Sequence, residues 1–133
     1  MDRGKPWLRF YEPHVPAHLD YPRILLPAIL KETAQERPDH PAMVFKGTVI
    51  SYRAFDEAVD RLAAALQGLG VRKGDRVAVH LPNCPQFPIA TYAAFRVGGI
   101  VVPCNPIYTP ASSLINEVVK HGIRSTSCVL CER

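Results

Sequence analysis

The sequence predicts an α/β fold with a βαβ unit, packed helices and a small β-hairpin. Two short apolar runs, 76–81 and 100–104, predict parallel strands, because a helical segment with a tight turn at each end lies between them. Apolar residues within 42–50 flank the turn pair Lys46-Gly47 and predict the hairpin. The length of 133 residues predicts a single domain.

Residues 1–23 are predicted to be an extended arm, because prolines repeatedly interrupt this polar segment. Little regular structure is expected there. The aromatic side chains of Trp7, Phe10 and Tyr11 are expected to pin the arm to the surface of the folded body. The remaining residues, 24–133, are predicted to form that body.

A first helix is predicted from about Leu25 to Arg37. Pro27 falls in the first turn, where backbone N–H groups have no partner within the helix, so its missing N–H removes no helical hydrogen bond. Pro38 ends the helix. The apolar spacing predicts a buried face made of Leu26, Ile29, Leu30 and Ala34.

A second helix is predicted to begin after Ser51, whose hydroxyl suits an N-cap, and to end at Gly68 and Gly70. Its polar face is expected to be solvated and includes Arg53, Asp56, Asp60 and Arg61. Its buried seam follows a spacing of four and three residues: Phe55, Val59, Leu62, Leu66 and Leu69.

The helix of the βαβ unit is predicted at about 84–97. Asn83 is expected to cap it, with Gln86 completing a capping box. The helix is apolar nearly all round, which predicts burial, and Gly98-Gly99 ends it. A last helix is predicted at about 113–121, followed by a weak strand at 123–130.

Composition excludes several classes of protein. A net charge of +4 with a single basic cluster, Arg72-Lys73 and Arg76, does not predict nucleic-acid binding. It is compatible with peripheral contact to an anionic membrane surface. We expect no membrane-spanning segment, since no apolar run is long enough. Four cysteines without an apolar leader predict a reducing, cytoplasmic location.

The cysteines and histidines do not predict a metal or redox site. Cys128 and Cys131 have redox spacing, but no helix follows to lower a thiol pKa, and a zinc site would need Cys84 and Cys104 at irregular spacing. We therefore expect ordinary cysteines. His80 is interpreted as a polar strand end, since no HxH or HxxxH pattern provides partners. The other histidines considered are expected to be solvated: His14, His18 and His40.

Acid–base and phosphate-binding patterns are equally weak. Asp56, Glu57 and Asp60 could be paired carboxylates, but they belong to the predicted wet face. The glycines of 68–70 and 98–99 follow helices, whereas a dinucleotide fingerprint places glycines after a strand and before a helix. The turn at 82–85 contains no glycine. No catalytic, cofactor-binding or metal-binding residue is assigned.

Several motifs in a fixed order carry a resemblance to a known family. They are Glu36-Arg37-Pro38-Asp39-His40-Pro41-Ala42, Ser51-Tyr52, Gly70-Val71-x-Lys73-Gly74-Asp75-Arg76-Val77-Ala78, Leu81-Pro82-Asn83-Cys84-Pro85-Gln86-Phe87 and Gly98-Gly99-Ile100-Val101-Val102-Pro103-x-Asn105-Pro106. Over about residues 24–110 the chain resembles the N-terminal part of AMP-forming acyl-CoA synthetases, especially long-chain fatty-acid–CoA ligases. Ala54, where the family commonly has Glu, departs from the pattern, and so does the ending at 125–133.

The resemblance implies a parent reaction in which ATP and a carboxylate form an acyl-adenylate, and coenzyme A then displaces AMP. It implies ATP, Mg²⁺ and coenzyme A as cofactors of the full-length enzyme and none in this chain. The family's phosphate loop, its adenine- and ribose-binding motifs and its C-terminal lysine have no counterpart in these 133 residues. The chain alone is therefore expected to be a catalytically incomplete N-terminal fragment. Acyl-chain specificity is not readable from it.

Two other functions remain open at this point. The chain could be a non-catalytic docking module that completes a separately encoded ligase remainder or docks onto an intact paralogue. It could also associate with a second copy of itself. An unpaired sheet edge would favour any of these partners. A small nucleotide-binding domain is the third reading, and the glycine-free turn at 82–85 argues against it.

Overall fold

The computed structural model describes residues 5–104. The predicted helix at 113–121 and strand at 123–130 lie outside the described residues. The chain order is a short 3₁₀ turn, α1, a hairpin of β1 and β2, α2, β3, α3 and β4. Their bounds are Pro6–Phe10 for the 3₁₀ turn, Leu26–Glu36 for α1, Pro41–Phe45 for β1, Thr48–Ser51 for β2, Tyr52–Gly68 for α2, Arg76–His80 for β3, Gln86–Arg96 for α3 and Ile100–Cys104 for β4.

Helix α1 confirms the predicted segment, with Pro27 in its first turn and Arg37 just past its end. Leu30 and Ala34 are buried, as the periodicity predicted. Leu26 and Ile29 are exposed, so half of the predicted buried face was wrong. The first turn of α1 therefore contributes little to the core within the described residues.

The hairpin forms where it was predicted. Val44 pairs with Val49 and Phe45 with Thr48 in antiparallel register. Lys46 and Gly47 both have positive φ, at 47° and 82°, as a two-residue hairpin turn requires. Val44 and Val49 are exposed and form an apolar cross-strand pair on the outer face of the hairpin.

Helix α2 begins at the predicted cap. The Ser51 hydroxyl oxygen accepts a hydrogen bond from the backbone N–H of Ala54 at 3.3 Å. The helix buries Phe55, Val59 and Leu66, and burying a side chain of this size contributes about 1.5–3 kcal/mol. Leu69 was predicted to extend the seam, but it is 66% exposed because the helix ends at Gly68 and the chain turns away.

Strands β3 and β4 are parallel, which confirms the βαβ unit. Arg76 lies opposite Ile100, and His80 lies opposite Cys104. Val77 and Val79 on β3 are both buried. The sheet stands apart from the hairpin, since the described residues contain two separate two-stranded sheets.

Helix α3 links the two parallel strands and packs mainly against α2. It is buried on a small-residue face consisting of Ala90, Ala93 and Ala94. The prediction of an Asn83 cap was wrong, because the helix begins at Gln86 after Pro85 and no side chain caps it. Gly99 lets β4 approach closely: a Cβ atom there would lie 3.1 Å from the carbonyl oxygen of Ala94.

The core lies between α2, α3 and β3. Its members are buried aliphatic, alanine and aromatic side chains: Leu30, Phe55, Val59, Ala63, Leu66, Val71, Val77, Val79, Leu81, Ala90, Ala93 and Ala94. Tyr92 on α3 meets Phe55 on α2 edge to face, with 5.5 Å between ring centroids. The two helices are therefore joined by both small-residue contact and aromatic contact.

The arm differs from its prediction in two respects. Residues Pro6–Phe10 form a 3₁₀ turn, whereas little regular structure was expected. Trp7, Phe10 and Tyr11 were predicted to pin the arm to the body, but all three are exposed. No residue of the turn is buried.

Arg96, at the end of α3, binds two carboxylates of α2. Its guanidinium donates to Asp56 at 2.6 Å and also to Asp60. The side chains of Arg96 and Asp56 are only 17% and 18% exposed, so the prediction of a solvated Asp56 was wrong. Burial alone would lower the pKa of Arg96, but the hydrogen bonds and charges of Asp56 and Asp60 outweigh it and raise that pKa.

We predict that Arg96→Met lowers the free energy of unfolding by about 2 kcal/mol, because Asp56 keeps a half-buried carboxylate that has lost its cation. Urea unfolding followed by circular dichroism measures the change. Arg61→Gln is the matched control: Arg61 pairs with Glu57 at 3.8 Å, both side chains are well exposed, and its loss is expected to cost less than about 0.5 kcal/mol. Equal losses in the two variants would contradict the assignment.

Candidate functional site

An open groove of about 360 Å³ lies between the hairpin and the start of α3. It lies beside the loop that follows β3, and ligands of α/β proteins commonly bind beyond the carboxyl ends of parallel strands. Its walls come from β1, the 82–85 loop and the first turn of α3: Met43, Val44, Phe45, Asn83, Cys84, Pro85, Phe87 and Pro88.

The loop on one side of the groove is held by short local hydrogen bonds. The N–H of Cys84 donates to the carbonyl of Pro82 at 2.9 Å, and the N–H of Phe87 donates to Cys84 at 3.0 Å. Pro85 fixes the backbone just before α3. The sequence therefore builds a rigid rim here without glycine.

His80 and Cys104 lie opposite each other at the carboxyl ends of β3 and β4. The His80 Nε2 atom is buried and has no hydrogen-bond partner among residues 5–104. The Cys104 thiol donates to the carbonyl of Val102 at 3.6 Å. Burial raises the pKa of the Cys104 thiol, which keeps it neutral near pH 7.

Two further polar atoms are buried without a partner in the described part of the chain. They are the Oε1 atom of Gln86, at the start of α3, and the Oγ1 atom of Thr91, in the middle of α3. Buried polar groups normally have partners. The unsatisfied polar atoms of the described residues therefore lie at the end of β3 and along α3.

The groove suits an apolar group and offers little for acid–base chemistry. Apart from the Asn83 amide and the Cys84 thiol, its wall is built from aliphatic, aromatic and proline side chains. Among residues 5–104, no group of three or more His, Cys, Asp or Glu side chains is arranged to hold a metal ion.

Of the histidines, carboxylates and cysteines considered in the sequence, the described wall of the groove contains only Cys84. His14 lies 3.6 Å from Glu12, His18 lies 3.4 Å from Lys5, and His40 stacks on Tyr52. The carboxylates of Asp56 and Asp60 bind Arg96, while that of Glu57 is exposed on α2. Cys128 and Cys131 lie outside the described residues, and Cys84 and Cys104 are free thiols.

Both glycine pairs follow helices, so neither forms a phosphate cradle that opens a helix. Gly70 has a φ of 85° just after α2, and Gly98 has a φ of 77° just after α3. Sequence reasoning missed the groove itself. The run Pro82-Asn83-Cys84-Pro85 was examined for glycine, but its two prolines and the following Phe87 were the signal for a rigid apolar rim.

Comparisons of this chain with known proteins agree on one family. Residues 30–122 match the model of the AMP-binding enzyme family. The long-chain-fatty-acid–CoA ligase of Bacillus subtilis is 44% identical over 109 residues, which cover 82% of this chain and 20% of that protein. The long-chain-fatty-acid–CoA ligase of Yersinia pestis is 44% identical over 108 residues, covering 80% and 19%.

Solved structures agree with the sequence match. The N-terminal subdomain of Klebsiella oxytoca NpsA, in complex with 3-hydroxyanthranilyl-AMSN, superposes with a TM-score of 0.67 at 33% identity, covering 72% of this chain and 24% of that one. VinN in complex with L-aspartate gives a TM-score of 0.63 at 31% identity, covering 65% and 24%.

The chain spans about a fifth of the length of the curated relatives it matches. The motifs at 70–78, 81–87 and 98–106 all lie within the matched residues. The observed β3–α3–β4 unit places the second and third of these motifs at the ends of α3. The chain belongs to the AMP-binding enzyme family.

Proposed function

We propose that this chain supplies the N-terminal framework of a fatty-acid–CoA ligase. In the reaction of such a ligase, a fatty-acid carboxylate attacks ATP and pyrophosphate leaves. The thiol of coenzyme A then displaces AMP from the acyl-adenylate. The observation that carries the proposal is the identity of 44% to a long-chain-fatty-acid–CoA ligase over 82% of the chain. ATP, Mg²⁺ and coenzyme A are proposed as cofactors of the full-length enzyme.

We further propose that the 133-residue chain does not form an acyl-adenylate by itself. Adenylyl transfer depends on cations and donors positioned around the phosphates. The lining residues within 5–104 carry no charge. The guanidinium of Arg96 on α3 is already bound by Asp56 and Asp60. The chain's role would then be to position strands and helices for the parts that carry the chemistry.

We predict that the purified chain, mixed with ATP, Mg²⁺, a long-chain fatty acid and coenzyme A, releases pyrophosphate no faster than a blank without protein. The physical reason is that the described residues lining the groove include no cation to stabilise the phosphates. A coupled pyrophosphate assay measures the rate, with an intact fatty-acid–CoA ligase as the positive control. Pyrophosphate release that requires both the fatty acid and this chain would contradict the proposal.

A docking role is the second candidate function. The Val44–Val49 pair and Ile100 expose aliphatic surface on the hairpin and at the start of β4. Each sheet in the described residues has only two strands, so strand edges remain available for pairing. A separately encoded ligase remainder is the proposed partner, and a second copy of the chain is the alternative.

The free thiols Cys84 and Cys104 support a reducing, cytoplasmic location.

We predict that co-expression with the remaining part of a homologous ligase restores acyl-CoA formation. Val49→Lys should reduce the restored rate at least tenfold, because a buried interface would then contain an unpaired ammonium group. Ala64→Lys, at an exposed position of α2, is the matched control and should keep the rate. The docking role is wrong if the remainder is equally active without this chain, or if both variants behave alike.

A further inference from the structure

The 3₁₀ turn Pro6–Phe10, with Tyr11 directly after it, forms an exposed aromatic turn. Trp7 is 54% exposed and Phe10 is 74% exposed. Within the described residues, the helices and strands leave these rings uncovered. Large exposed apolar side chains that lie close together mark a surface for interaction.

The aromatic turn is also basic. Lys5 precedes it and Arg9 lies within it, and no acidic residue occurs from 5 to 11. The guanidinium of Arg9 lies 4.7 Å from the centroid of the Phe10 ring, a cation–π contact. The positive charge of Arg9 and the ring of Phe10 therefore lie side by side on the turn. The first acid after the turn, Glu12, lies beside His14.

This combination matches the boundary between lipid and water. Tryptophan and tyrosine rings favour that boundary, and lysine and arginine are attracted to anionic headgroups. No helix of the described residues is long and apolar enough to cross a membrane, so a contact of this kind would lie on the surface. A nucleic-acid duplex would be attracted by the charges, but its phosphate surface would leave Phe10 and its neighbouring rings without an apolar environment.

We propose that the aromatic turn binds an anionic lipid bilayer, with Trp7 and Phe10 inserted at the level of the headgroups and with Lys5 and Arg9 facing lipid phosphates. The contact is reversible, since one short turn and two cations provide far less membrane affinity than a spanning helix. Each cation contributes about fivefold to the affinity, equivalent to about 1 kcal/mol. The inference concerns the arm and does not depend on the catalytic proposal.

Trp7 makes the proposal directly measurable, because it is the only tryptophan of the chain. Its fluorescence is recorded while the 133-residue chain is titrated with phosphatidylcholine vesicles that contain phosphatidylserine. We expect a blue shift, quenching when the lipid acyl chains are brominated, and a loss of binding as salt is added. Vesicles of phosphatidylcholine alone should bind at least tenfold more weakly, because two cations lose their attraction.

Variants separate the two contributions. Arg9→Gln should weaken binding about fivefold, and Phe10→Ser about tenfold, while Trp7 remains as the probe. Lys31→Gln on α1 and Leu69→Ser just after α2 are matched controls at exposed positions, since the first loses one charge and the second loses a large exposed apolar side chain. Neither control should change the vesicle affinity.

Three results would overturn the proposal. The first is an unchanged Trp7 spectrum at saturating anionic lipid. The second is a blue shift that increases with protein concentration in the absence of vesicles. Such a shift would mean that the aromatic turn binds a second copy of the chain. The third is equal binding by Phe10→Ser and the unsubstituted chain. The pyrophosphate and co-expression assays do not report on Trp7, so failure here leaves the catalytic proposal unaffected.

Discussion

The close packing of α3 against α2 and the β3–β4 pair is the contact on which the rest of the described structure depends. Ala93 and Ala94 are completely buried, and their small side chains let the neighbouring elements approach. The lack of a Cβ atom at Gly99 allows the same approach at the turn into β4. Interiors packed this tightly tolerate little added volume. Small residues at a few positions of α3 therefore determine how closely this helix packs against α2 and the parallel strands.

That packing also determines what lies at the carboxyl ends of the strands. Because α3 connects β3 to β4, its first turn and the preceding proline-containing loop must lie beyond the end of β3, facing the hairpin. The result is an apolar groove between the hairpin and the first turn of α3, and the described residues that line it carry no charge. In the proposed function, a framework of this kind positions chemistry that other parts of a ligase would provide.

Features set by local periodicity and turn chemistry could be predicted from the sequence: the helices, the Ser51 cap, the hairpin turn and the parallel pair. Features set by distant contacts could not. Asp56 follows the pattern of a wet helix face, yet Arg96, forty positions later, makes it a partly buried ligand of a guanidinium. The exposed rings of the arm illustrate the same limit of sequence-based prediction. The sequence shows that Trp7 is apolar, but it does not show whether another element of the fold covers its ring. The groove arises between β1 and α3, and no single segment predicts it.

Amide hydrogen exchange of the 133-residue chain tests most directly whether α3 holds the structure together. If its packing is the central contact, the amides of Ala93, Ala94 and Val79 exchange most slowly, at one common rate set by global unfolding, and those of the hairpin exchange faster. Hairpin amides that are protected more strongly than those of α3, or exchange of all amides within seconds, would contradict this account.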